Sequence, residues 1–87
     1  MRKIFCEKSW KDYAKWAETD AVITGKINSL LRTVEESGSL QGGTPADAGG
    51  VIYVLNIDEM NQLAIRQSDD MLEILSCKGQ FQMQQDL

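Results

Sequence analysis

The sequence predicts an α+β fold, in the order β-α-α-β-β-β, with two N-terminal helices packed on one face of a mostly antiparallel sheet. Three observations lead there. Ile23, Ile27, Leu30, Leu31 and Val34 recur at helical spacing, which marks an amphipathic helix with one buried stripe. The runs "VIYVLNI" (51–57), "QLAIRQ" (62–67) and "MLEILSC" (71–77) are short, apolar and rich in β-branched residues. Only the polar turns "DEMN" and "SDD" separate them, so they read as an antiparallel meander. Each amphipathic element must bury its apolar side, and a helical layer on one sheet face satisfies both.

The elements follow in order. "RKIFC" (2–6) reads as a short strand with Ile4 and Cys6 on one face. Ser9 then reads as the N-cap of a helix, with Asp12 three residues on in the manner of a capping box. Trp10, Tyr13, Ala14 and Ala17 share a face that should meet the core, with Trp16 at its edge. Thr19 is expected to cap the second helix, with Asp20 at the positive end of its dipole. Gly25 costs that helix about 1 kcal/mol against alanine, and Gly38 is expected to stop it. Residues 37–50, "SGSLQGGTPADAGG", hold five of the seven glycines and the only proline, so 38–50 is expected to be a flexible loop. In the meander, Leu63 and Ile65 share a face, and Leu72, Ile74 and Ser76 oppose Met71, Glu73, Leu75 and Cys77. Residues 1–81 are read as a single domain and 82–87 as a frayed tail.

Composition narrows the chemistry. Histidine is absent, which removes Ser-His and Cys-His nucleophile pairs, the commonest general base and any His-containing zinc site. No metal or other cofactor is expected. The two cysteines, Cys6 and Cys77, sit on apparent strands and read as small core residues of a chain in a reducing, cytosolic compartment. The longest apolar run, 51–55, is five residues, against ~20 for a membrane span, and "MRKIFCEKSW" lacks the apolar segment of a secretory signal. The glycine-rich loop has neither Walker nor Rossmann spacing. Charge is divided: residues 1–32 carry +3 and residues 33–87 carry −7. Any polyanion must therefore be met by the first third of the chain.

The stretches "SWKDYAKWAETD" (9–20), "KINSLL" (26–31) and "DDMLEILSCKG" (69–79), in that order, resemble the YoeB/Txe branch of the RelE/ParE toxin superfamily, the small bacterial toxins of type II toxin–antitoxin pairs. The resemblance spans nearly the whole chain and is weakest over 39–56. It implies the same element order, a YefM- or Axe-like antitoxin as partner, a possible homodimer, and ribosome-dependent cleavage of messenger RNA as the family activity. The family places a Glu after the loop proline, an Arg at the start of the middle meander strand, and a His-Tyr pair after the last strand. Matched to those positions, this sequence has Ala46, Gln62, Gln80 and Phe81, and Leu55 and Asn56 stand where paired arginines are usual.

Every matched catalytic position is neutral. An amide lacks the titration of His, and it cannot meet phosphate as a bidentate cation. One positioned general acid or base contributes ~10²–10⁴ in rate. The residues therefore point to a binding module of a toxin–antitoxin system with impaired catalysis. Lys8, Lys11, Lys15, Asn56 and Lys78 are its candidate RNA or partner contacts. Two alternatives stay open: an active interferase with a rearranged site drawing on Glu59, Asp69 or Asp70, and an acidic inhibitor that mimics nucleic-acid charge.

Overall fold

The structure, a computed structural model, describes residues 2–37, 44–45 and 49–81. The expected stop at Gly38, the position Ala46, most of the 38–50 loop and the 82–87 tail lie outside the described residues. Strand β1 (Arg2–Phe5) leads into helix α1 (Glu7–Thr19) and helix α2 (Ala21–Ser37). The short strand β2 (Thr44–Pro45) precedes the meander of β3 (Val51–Asn56), β4 (Gln62–Ser68) and β5 (Met71–Ser76). The sheet order is β1-β5-β4-β3-β2. β1 lies parallel to β5, with Arg2 opposite Met71 and Phe5 opposite Ile74. Every other pairing is antiparallel, so the α+β, mostly antiparallel reading holds. The sequence reading lacked β2, which is only two residues long.

Helix α2 matches its expected face. Ile23, Ile27, Leu31 and Val34 are buried against Tyr53, Ile57, Leu63, Ile65, Leu72 and Ile74, with Leu30 partly buried beside them. Its cap lies one residue later than expected. Asp20 Oδ1 accepts the N–H groups of Val22 and Ile23, both at 3.1 Å. Thr19 closes α1 and donates its hydroxyl to the Lys15 carbonyl at 2.7 Å. The carboxylate suits the cap better, since it takes two orphan donors and carries negative charge at the helix N-terminus.

Helix α1 departs further. It begins at Glu7 with Cys6 as N-cap, and Ser9 is fully buried inside its first turn. Ser9 donates its hydroxyl to the Ile74 carbonyl of β5 at 2.6 Å, a tertiary bond that outweighs the local capping preference. The inward face therefore runs through Ser9, Tyr13 and Trp16. Trp10 is 55% exposed and Ala17 is exposed, so the expectation that both face the core is overturned. Trp10 packs against Phe5 and Tyr13 from the outside, with ring centroids 5.5 and 6.1 Å away. Trp16, expected at the edge, is packed against the core, and its indole N–H donates to the Cys77 carbonyl at 2.9 Å.

In the meander, Leu63, Ala64 and Ile65 are all buried rather than alternating. The β4–β5 register shifts between Ala64 and Ile65: Ala64 pairs with Ser76 while Ile65 pairs with Ile74, leaving Leu75 extra. Such a bulge bends the strand pair. Arg66 and Glu73 form an ion pair across β4 and β5, and Lys3 Nζ meets Glu35 Oε1 at 2.6 Å, tying β1 to α2. Gly50 has φ +80°, and a Cβ there would stand 2.6 Å from the Gln67 carbonyl oxygen; glycine is required where this segment meets β4. No helix among the described residues is long and apolar enough to cross a membrane.

Asp20→Ala should cost about 1 kcal/mol in unfolding free energy. Thr19→Ala, which removes only an exposed hydroxyl contact, should stay within about 0.5 kcal/mol. Urea titration of the two variants tests the shifted cap. A second expectation concerns Cys77, fully buried, whose thiol is pushed up to about 11 by burial and, to a lesser degree, by Asp12. The folded value lies above the ordinary one, so the protonated thiol's contribution is complete below about pH 9 and is lost as pH rises toward about 11. Unfolding free energy should therefore fall less steeply across that window in Cys77→Ala than in the parent chain.

Candidate functional site

Three of the four positions matched by resemblance meet at one end of the meander. Gln62 opens β4 opposite Asn56, the last residue of β3. The chain leaving β5 then turns back toward it at Gly79, which has φ +72° and so suits glycine. Gln62 donates its backbone N–H to the Gly79 carbonyl at 2.9 Å. Its side-chain oxygen accepts the Phe81 N–H at 3.0 Å, and its amide nitrogen donates to Asn56 Oδ1 at 3.2 Å. Gln80 is exposed and reaches the Glu59 carbonyl at 3.4 Å. Phe81 is half-buried. Ala46 is the fourth position, outside the described residues.

Two residues absent from the candidate set hold this place together. Asp58 Oδ1 accepts the N–H groups of Met60 and Asn61, both at 2.8 Å, closing the β3–β4 turn as an Asx motif. The Asn61 side-chain oxygen accepts the Gly79 N–H at 2.9 Å, and its amide nitrogen donates to Asp58 Oδ1 at 3.1 Å. The sequence did carry a signal for the turn, an Asp three residues before an Asn in "DEMN". The second partnership, Asn61 to Gly79, spans 18 residues and has no local spelling.

The electrostatics are those of a bound turn. The Met60 N–H chiefly holds the Asp58 carboxyl below its ordinary range, against the opposing effect of burial and with smaller help from Asn61's donors and the Lys26 charge. Asp58 is thus an ionised acceptor already engaged by its own backbone, not a proton donor near neutral pH. Gln62 has one partner for each end of its amide. Proton transfer needs a group that changes charge near the working pH, and none of Asn56, Asn61, Gln62, Gln80 or Phe81 does. Asp69 and Asp70 sit in the turn at the opposite end of β4, roughly 20 Å along a seven-residue strand, which removes them from any site built on Gln62. Glu59 is exposed in the near turn. Among the described residues no group of three acids or cysteines could hold a metal ion.

The candidate cationic contacts do not gather here. Lys8 Nζ lies 2.9 Å from Asp12 Oδ2 and donates to Ser76 Oγ at 3.2 Å. Lys11 pairs with Glu7 at 3.3 Å. Lys15 is exposed on α1. Lys78 lies 5.9 Å from the centre of the Trp16 ring, within reach of a cation–π contact. Of this set, only Asn56 belongs to the Gln62 cluster.

Comparison with known proteins bears on the family and the fold. The family described as "YoeB-like toxin of bacterial type II toxin-antitoxin system" matches residues 5–81. Toxin YoeB of Escherichia coli K12 is 32% identical over 84 residues, covering 93% of this chain and all of that protein. Toxin YoeB of Streptomyces coelicolor is 30% identical with the same coverage. Among solved structures, the YoeB/ParE toxin from Agrobacterium tumefaciens superposes with a TM-score of 0.77 at 28% identity, covering 93% of this chain and 100% of that one. The YoeB dimer from Staphylococcus aureus gives 0.78 at 27% identity, covering 93% and 98%. The fold also recurs in a heterotetrameric YoeB–YefM toxin–antitoxin complex from S. aureus, with a TM-score of 0.78 at 24% identity and the same coverage.

Asn61→Ala should free the Gly79 N–H and loosen the β3–β4 turn. The expected loss is about 1 kcal/mol, with faster hydrogen exchange at the Gly79 amide and little change at core amides of β5.

Proposed function

The chain belongs to the YoeB-like toxins of bacterial type II toxin–antitoxin systems, and we propose that within this family it binds protein partners without cleaving RNA. Its partners in this reading are an antitoxin of the YefM type and a second copy of itself, in the cytoplasm. The observation that carries the reading is the state of the Gln62 cluster. Three family-equivalent positions stand together there, none titrates, and the Gln62 amide is engaged at both ends by Asn56 and Phe81.

Energetics support this. A phosphodiester cut by 2′-hydroxyl attack needs a base for the nucleophile, an acid for the leaving oxygen and a cation for the transition-state charge. Each proton-transfer group contributes ~10²–10⁴ in rate and a charge-stabilising donor ~10²–10³. The effects are not additive, but a centre without any of them offers the reaction only positioning. Of the acids weighed for a rearranged centre, Asp69 and Asp70 lie at the wrong end of β4, and Glu59 alone would lack an acid and a cation beside it.

Ribosomes programmed with a message and incubated with the purified chain should show no A-site cutting by primer extension. At the least, cutting should be ~10²-fold slower than with E. coli YoeB. In parallel, S. aureus YefM should be retained by the immobilised chain. Gln62→Arg, Gln80→His and Phe81→Tyr, combined with Ala46→Glu, should raise cutting from that baseline. Cutting by the unaltered chain at the rate of E. coli YoeB would overturn the reading.

A further inference from the structure

Cys6 and Cys77 are the chain's two cysteines, and both are free thiols. They meet at one residue. Cys6 Sγ lies 3.4 Å from Ser9 Oγ, and Cys77 Sγ lies 3.6 Å from the Ser9 carbonyl oxygen. Cys6 Sγ is also 3.4 Å from the carbonyl of Leu75, two residues before Cys77. The two sulfurs thus share the junction of β1, α1 and β5, although they are far apart in sequence.

Their surroundings differ. Cys6 is half-buried at the head of α1, while Cys77 is fully buried. Burial pushes the Cys77 thiol up to about 11, so it holds its proton near neutral pH. Cys6 is therefore the sulfur that a reagent in solvent reaches first, and Cys77 can act only second.

Backbone spacing decides what joining them would do. Phe5 stands opposite Ile74 across the parallel β1–β5 pair, so Cys6 follows beside Leu75 and Cys77 lies two residues beyond. At strand spacings of ~4.8 Å across and ~3.3 Å along, the two α-carbons stand about 8 Å apart. A disulfide spans up to ~7 Å without backbone movement. Closure must therefore draw Cys77 toward β1. The Cys77 carbonyl accepts the Trp16 indole N–H, and two residues on Gly79 is bonded to Asn61 and Gln62. The pull reaches the Gln62 cluster along this short segment.

We propose that Cys6 and Cys77 form a reversible redox pair, which closes by exchange with a low-molecular-weight disulfide and shifts the segment that carries Gly79. In the first step the Cys6 thiolate attacks the reagent, one thiolate leaves, and Cys6 carries a mixed disulfide. In the second the Cys77 thiolate attacks the Cys6 sulfur, the Cys6–Cys77 bond forms, and the other thiolate leaves. Each protein thiol gives up one proton and each leaving thiolate takes one, while two electrons pass from the chain to the reagent. A bond that closes only with backbone strain is easily reduced. That suits a switch, the common use of disulfides in a reducing compartment, rather than a permanent staple.

The test incubates the native full chain with oxidised glutathione at neutral pH, followed by tryptic digestion without reductant. Residues 4–8 and 67–78 should appear as one linked peptide, with the intact mass lowered by two hydrogens and both thiols lost together. Dithiothreitol should restore both. Cys77→Ala should stop at one glutathione on Cys6, and Cys6→Ser should take up none. Hydrogen exchange at the Gly79 amide should be faster in the linked chain than in the reduced one. A parent chain that keeps a mixed disulfide at Cys6, stays unmodified, links two copies, or joins the two cysteines only in urea would overturn the pair. Unchanged exchange at Gly79 in the linked chain would overturn its coupling to the turn.

Discussion

The Ile74 carbonyl is where the architecture converges. It accepts the Ser9 hydroxyl at 2.6 Å and lies 3.3 Å from the Cys6 N–H, so one buried acceptor on β5 receives both the last turn of β1 and the first turn of α1. Ile74 is fully buried, a buried acceptor must be paired, and a carbonyl with two lone pairs can take two donors. The consequences run outward. β1 is held parallel to β5, α1 is forced to start before Ser9, and the rotation this imposes turns Trp16 inward, where its indole meets the Cys77 carbonyl. The segment after β5 thus leaves the sheet with its direction fixed, and that direction carries Gly79 back to Gln62.

From that point the site is a matter of which groups the returning chain meets. Two side-chain oxygens, from Asn61 and Gln62, accept the Gly79 and Phe81 N–H groups in turn. The pairing adds side-chain bonds to the backbone bond between Gln62 and Gly79. A carboxylate or guanidinium at 62 would divide its hydrogen bonds between the backbone and a ligand. The neutral amide instead supplies one acceptor to Phe81 and one donor to Asn56, a closed arrangement with little left to offer a phosphate. Rigidity and chemistry pull apart here, because the contacts that order residues 79–81 use the polar atoms that a reaction would need.

What could be read in the sequence follows this division between local and distant causes. The α2 stripe was legible because five apolar residues at one spacing meet a continuous sheet face, and no polar bond disturbs it. β4 and β5 were legible as strands, whereas the register shift between Ala64 and Ile65 and the burial of Ala64 were not. The face of α1 was not. Its spelling favours Trp10, whereas its position is set by Ser9, a polar residue whose value depends on a carbonyl 65 residues away. The cap of α2 fell between Thr19 and Asp20, two adjacent good capping residues, and only the carboxylate reaches two N–H groups. At the site, Gln62, Gln80 and Phe81 could be named from resemblance, while Asn61 could not, because its role is to accept a bond from a turn that only the fold brings near.

The distribution of charge bears on function in the same physical terms. The basic first third of the chain spends Lys3, Lys8 and Lys11 on Glu35, Asp12 and Glu7. Exposed pairs of this kind contribute ~0–1 kcal/mol, too little to explain them as stabilisers, yet each lowers the local positive potential that would draw a polyanion. Arg66, one of two cations after residue 32, is likewise engaged by Glu73. Lys26 forms no ion pair among the described residues, yet its charge helps hold the Asp58 carboxyl below its ordinary range, and it stands beside an apolar surface. A polyanion gains from many spread cations acting together; a peptide acid gains from one cation next to a surface that excludes water, where the same charge is less screened. The ion pairs on this chain therefore reduce, without abolishing, the positive potential that its first third can present to a polyanion.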